Sequence, residues 1–179
     1  MPRPDEPGAG DAPALPAVSA DAADLVHLLT DRGLTIATAE SLTGGLLAAT
    51  LVDVPGASAV FAGGVVAYAT PVKQSVLGVD AALLDERGAV DADVAGQMAD
   101  RVRRVCAVDG RPADVGLATT GVAGPDPQDG RPPGTVFLGV AMGDDVEAIA
   151  LDLHGDRAEI RAATVRAALE AVLARLGPG

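Results

Sequence analysis

Short apolar runs of strand length alternate with longer stretches of helical spacing, and the last two strand-like runs follow one another directly. That order constrains the fold more than any other feature of the chain. A strand–helix–strand rhythm builds parallel pairings, whereas adjacent strands pair antiparallel, so the pattern predicts an α/β sandwich around a mixed, mostly parallel sheet of about five strands. Ser19 reads as the cap of a helix running to about Arg32, with Leu25, Leu28 and Leu29 on one face and Gly33 as its stop. A strand over 34–39, a helix over 43–52 and a strand over 60–68 follow. Thr70-Pro71 reads as a cap with proline at the first helical position, which puts Lys73 in a first turn. Asp91 caps a helix to about Val105, and strands are expected at 114–120, 135–141 and 147–153. The last helix runs from Asp156 to about Leu176, with Ile160, Val165, Leu169, Val172 and Leu176 at helical spacing. Residues 1–18, rich in Pro, Ala and Gly, read as a disordered tail, leaving one domain over 19–179.

Composition narrows the function. The 179 residues hold two Phe, one Tyr and no Trp, so the core must be built from Val, Leu, Ile and Ala. Such a surface offers no aromatic platforms for single-stranded nucleic acid, and a net charge of -12 opposes phosphate-backbone binding. No nucleic-acid partner is expected. No apolar run has transmembrane length and no signal peptide is evident, which reads as a cytoplasmic protein without a membrane partner. The lone Cys106 excludes an internal disulfide and a Cys-rich zinc site. Two histidines, His27 in an apolar helical run and His154 after a strand, are few for a metal site, and neither metal nor cofactor is expected. An enzyme built on this chain would take its base from another residue type.

Thirteen residues are Lys or Arg, and only Lys73 is lysine. Arginine stays charged in any protein setting, whereas a desolvated lysine can lose its proton and act as a base. In a helix's first turn the macrodipole also disfavours the ammonium form. The competing reading is an exposed lysine whose long side chain escapes that field. The only tyrosine, Tyr68, lies five residues earlier and suits either core packing or a partner role at the same site. Ser41, in Ala39-Glu40-Ser41-Leu42-Thr43-Gly44-Gly45, sits between a strand and a helix, where ligands collect in open α/β sheets. It could equally be a cap followed by turn glycines. Gly63-Gly64 in the second strand would let a backbone or a ligand come close. Thr120-Gly121-Val122-Ala123-Gly124-Pro125 opens a long loop, and Arg157 and Arg161 share a helix face that suits a phosphate or carboxylate, or simply solvent.

Ordered along the chain, these motifs resemble the C-terminal domain of the CinA family. The resemblance is carried by Ala39-Glu40-Ser41 with Thr43-Gly44-Gly45, Asp53 with Pro55-Gly56, Ser58-Ala59-Val60-Phe61, Gly63-Gly64, Tyr68 and Lys73. It continues through Leu77-Gly78-Val79, Gly88-Ala89-Val90, Thr120-Gly121, Ala123-Gly124-Pro125, Pro133-Gly134-Thr135-Val136 and Gly155-Asp156-Arg157 with Arg161. It covers about Asp21 to Leu176. It implies a three-layer α/β/α domain and a metal-free nicotinamide-nucleotide amidase, which hydrolyses the carboxamide of nicotinamide mononucleotide to nicotinate mononucleotide and ammonia. The family's serine, tyrosine and lysine fall on Ser41, Tyr68 and Lys73. Neutral Lys73 would take the Ser41 proton, N–H groups near Thr43, Gly44 and Gly45 would hold the oxyanion, and Arg157, Arg161 or the Gly121–Gly124 loop would hold the phosphate. The N-terminal domain of full-length CinA proteins is not seen, so a stand-alone form is expected, and a homo-oligomer is plausible by the same resemblance.

The sequence also departs from the family's pattern. Leu42 stands at a usual cysteine, Ala69-Thr70-Pro71 at a usual Ser-Asn-Glu, and Asp91 at a usual serine. The loop after Pro125 reads Asp126-Pro127-Gln128-Asp129-Gly130-Arg131-Pro132-Pro133 in place of glycines and Lys-Pro-Val. These changes surround the expected pocket. They leave room for two rivals: a nucleotide-binding domain without turnover, and a serine amidase for another small amide.

Overall fold

The fold is taken from a computed structural model, which describes residues 19–177; the expected tail lies outside the described residues. Five strands form one sheet in the order β2-β1-β3-β4-β5. They are β1 (Ile36–Glu40), β2 (Phe61–Val66), β3 (Val115–Gly121), β4 (Thr135–Met142) and β5 (Asp145–Asp152). β1 pairs parallel with β2 and β3, and the two later pairings, β3 with β4 and β4 with β5, are antiparallel. The mixed sheet therefore follows from the strand order: helices separate the first three strands, and loops without a helix separate the last three.

Helices cover both faces. On one face α1 (Ala20–Arg32), α2 (Leu46–Val52) and α6 (Arg157–Leu176) bury a branched-aliphatic layer against Ile36, Val115, Leu117, Val136, Leu138 and Val140. The opposite face of the same strands carries Ala37, Ala39, Ala118 and Ala141, packed on Val94, Met98, Ala99 and Val102 of α5 (Ala92–Val105). Period-two alternation puts large residues on one side and small ones on the other. The small side has a visible cause. A Cβ added at Gly116 or Gly139 would run into the backbone carbonyls of Ala99 and Ala95, so α5 rests directly on the sheet. Gly63 and Gly64 serve a similar end: their missing side chains make room for Cys106 and for Thr38 of β1, not for a ligand.

Three local expectations need correction. The helix expected from Thr43 begins at Leu46, because Gly44 (φ 59°) and Gly45 (φ 95°) form a left-handed turn ahead of it. The helix α3 (Thr70–Ser75) is only six residues long. Ala69 is its cap, Thr70 and Pro71 are helical, and no side chain caps it. A further helix, α4 (Ala81–Arg87), was not anticipated. It buries only Leu84 and is started by the Asp80 carboxylate, which accepts from the Ala82 N–H at 2.8 Å. Among the described residues no helix is long and apolar enough to cross a membrane.

Candidate active site

The C-terminal end of β1 delivers Ser41 to the edge of the sheet, and its N–H donates to the Thr119 carbonyl of β3 at 2.9 Å. The turn that follows is braced from three sides. Glu40, almost fully buried, accepts from the N–H groups of Gly45 (2.9 Å), Leu47 (3.0 Å) and Ala48 (2.8 Å), so its carboxylate occupies the N-terminus of α2. This is where the positive end of the helix dipole stabilises an anion. The Thr43 hydroxyl shares a 2.8 Å hydrogen bond with the Thr119 hydroxyl. From α6, Arg161 donates to the Leu42 carbonyl (3.0 Å) and the Thr43 carbonyl (2.6 Å).

Lys73 reaches the same point from α3. It is wholly buried, and its Nζ donates to Ser41 Oγ at 3.0 Å and to the Ala67 carbonyl at 2.8 Å, with the Tyr68 carbonyl at 3.5 Å. Burial pulls its pKa down from 10.5 to about 8, partly opposed by the negative charge of Asp129. The lysine is thus not an exposed side chain escaping a helix dipole. In so short a helix it stands as close to the last turn as to the first, and desolvation, not the macrodipole, lowers its proton affinity.

Ser41, Leu42, Tyr68, the stretch Gly121–Gly124, Asp126, Gln128 and Arg157 line a small cavity of about 80 Å³. Tyr68 does not touch Lys73 with its phenol. Its ring is more than half exposed, and its hydroxyl accepts from Arg157 Nη2 at 2.9 Å. Arg157 Nη1 also donates to the Gly124 carbonyl at 2.7 Å, so the guanidinium bridges two rims of the cavity.

The remaining candidates form or brace the turn that carries Ser41. Thr43 is buried against Thr119, and Gly44 and Gly45 lie behind the turn, their N–H groups committed to the Ser41 carbonyl (3.1 Å) and to Glu40. Arg161 is spent on two loop carbonyls. The expected donors at Gly44 and Gly45 are therefore corrected: among the described residues, the N–H groups beside Ser41 that carry no hydrogen bond are those of Leu42 and Thr43. His154 is exposed, and no three metal-binding side chains converge among the described residues.

Residues 19–176 match the CinA C-terminal domain. The chain belongs to that family. It is 52% identical over 148 residues to a CinA-like protein of Frankia casuarinae, covering 83% of this chain and 33% of the relative. It is 49% identical over 139 residues to a competence-damage inducible protein of Geobacillus kaustophilus, covering 77% and 32%. The chain thus spans about a third of the length of these relatives. Among solved structures, a CinA superfamily protein of Klebsiella pneumoniae superposes with a TM-score of 0.82 at 32% identity, covering 87% of this chain and 95% of that one. A competence/damage inducible protein of Agrobacterium tumefaciens gives 0.78 at 35%, covering 89% and 98%.

Sequence reasoning assigned no role to Glu40 or Asp129 in this CinA domain. Glu40 carried a legible signal: an acid at a strand end followed by Gly-Gly and an uncapped apolar helix. For Asp129 the signal was Asp-Gly, a hairpin-turn pair inside a loop read as a departure from the family's pattern.

Proposed function

We propose that this CinA domain is a serine amidase acting on nicotinamide mononucleotide. One observation carries the chemistry: the chain's single lysine is buried with its Nζ 3.0 Å from a serine hydroxyl at the mouth of the sheet. With a pKa of about 8, roughly a tenth of Lys73 is neutral at neutral pH, enough for a base matched to its task. Neutral Lys73 takes the Ser41 proton as Oγ bonds to the carboxamide carbon, and the carbonyl oxygen becomes an oxyanion held by the Leu42 and Thr43 N–H groups. The Lys73 ammonium then gives its proton to the departing nitrogen, releasing ammonia and an acyl-serine. Water, deprotonated by Lys73, adds to the ester carbonyl, and Ser41 leaves with that proton.

Substrate identity rests on the family resemblance and on Arg157, whose guanidinium stands on the cavity wall. The cavity of about 80 Å³ is small beside the roughly 300 Å³ or more of a small-ligand site. A nucleotide therefore enters by parting Arg157 from Tyr68, and its phosphate replaces the phenol as the partner of Arg157. The test is product analysis with nicotinamide mononucleotide. Ammonia and nicotinate mononucleotide from the wild type, and neither from Ser41→Ala, are expected. Tight nucleotide binding without ammonia release would instead favour a binding domain.

A further inference from the structure

The loop 121–134, where the sequence departs most from its family, is built around a hairpin. Gln128 and Arg131 exchange both backbone hydrogen bonds, at 3.1 and 2.8 Å. Between them Asp129 (φ 50°) and Gly130 (φ 72°) take the two left-handed positions of a type I′ turn, for which Asp-Gly is a favoured pair. The turn aims the Asp129 side chain at the segment ahead of α5. Its Oδ2 accepts from the Ala89 N–H at 2.9 Å. It lies so close over Gly88 that a Cβ there would meet Oδ2 at 2.8 Å, so only glycine fits beneath the carboxylate. The Thr120 hydroxyl donates to the Ala89 carbonyl at 2.6 Å, fixing that segment from the sheet side. Beside Asp129, Gln128 forms part of the cavity wall.

We propose that Asp129 is a positioning residue of the Ser41–Lys73 site. Its carboxylate latches the hairpin to the Gly88–Ala89 turn, so that Gln128 walls the cavity. Most of the other charged groups around the site are held by partners of their own. Both Glu40 oxygens hold α2, and Asp91 accepts from Asp93 N–H and lies 3.9 Å from Arg87. Arg161 is bound to the Leu42 and Thr43 carbonyls, and Arg157 to Tyr68 and Gly124; Asp126 stands on the cavity wall. Ser41 and the Ala67 and Tyr68 carbonyls meet Lys73 as neutral acceptors. Asp129 is the acid whose charge raises the lysine's proton affinity against the effect of burial. Its consequence for turnover rests on the amidase reading; the latch and the charge do not.

The chain's composition supplies the test. With one lysine, protein labelled with lysine bearing 13C at Cε gives a single side-chain resonance whose pH titration reports Lys73 directly, with or without catalysis. Asp129→Asn keeps an acceptor for the Ala89 N–H and removes the charge, and Asp129→Ser does the same with a shorter side chain. In both, the midpoint should fall by about half a unit to one unit. The acid limb of kcat/KM for nicotinamide mononucleotide should move down with it, raising the rate at pH 7 about three- to fivefold. Asp129→Ala should in addition speed hydrogen exchange at the Ala89 amide and raise KM. An unmoved lysine midpoint in the Asn and Ser variants, or unchanged Ala89 exchange in Asp129→Ala, overturns the proposal. If no variant and no wild type releases ammonia, the amidase reading fails while the titration still decides the role of Asp129.

Discussion

At the scale of single residues, the proposed chemistry depends on Lys73 being buried and able to lose its proton. Lys73→Ala and Ser41→Ala should each lower kcat by about a thousandfold or more while leaving the fold intact, as read by steady-state kinetics beside circular dichroism. Lys73→Arg should be equally inactive, since a guanidinium does not deprotonate. Burial of the amine also has a cost that pH can remove. The folded-state pKa of about 8 lies below the unfolded value of 10.5, so the unfolded chain binds the proton more tightly. The penalty is complete below about pH 8 and fades as pH rises towards 10.5. From pH 7 to pH 10.5, the wild type should therefore gain about 3 kcal/mol of stability relative to Lys73→Met, measured by urea unfolding at each pH. A difference that stays flat over this window would mean that the lysine is hydrated.

At the scale of elements, the site is held by the start of α2 and by the contact of α5 with the sheet. Glu40 satisfies three N–H groups that a seven-residue helix cannot satisfy internally. Glu40→Ala should destabilise the protein by about 2–4 kcal/mol in denaturant titration and loosen the turn carrying Ser41, whereas Glu40→Gln, which keeps an acceptor, should cost less. Gly116→Ala or Gly139→Ala would drive a methyl into the backbone of α5, and a loss of about 3 kcal/mol or more is expected from the same measurement. The long elements were legible in the sequence because period and caps agreed. Ser19 to Gly33 bounded α1, and Asp156, with Glu159 completing a capping box, opened α6. The errors fell where local signals conflicted. The start of α2 was misplaced because its cap comes from the preceding strand, five residues before Gly45. The helix α4 was missed because seven residues with one buried leucine give almost no periodic signal.

At the scale of the whole molecule, the three-layer arrangement brings four distant parts of the chain to one end of the sheet: the β1–α2 turn, α3, the loop 121–134 and the start of α6. Sequence singled out Ser41, Lys73, Tyr68, Gly121, Gly124 and Arg157, and these meet at or beside one cavity. It could not divide Arg157 from Arg161. Both lie on one helix face, yet one points to the cavity rim and the other to loop carbonyls, and that choice depends on tertiary packing alone. Nor could it show that Tyr68 turns its hydroxyl to Arg157 and only its carbonyl towards Lys73. In the proposed mechanism, a buried, partly neutral lysine activates Ser41 for amide hydrolysis. The most direct measurement is kcat/KM for ammonia release from nicotinamide mononucleotide between about pH 6 and pH 10. The rate should rise with pH, with a midpoint near 8 that coincides with the Lys73 titration. A rate that is independent of pH across this range, or one that survives in Lys73→Met, would contradict this mechanism.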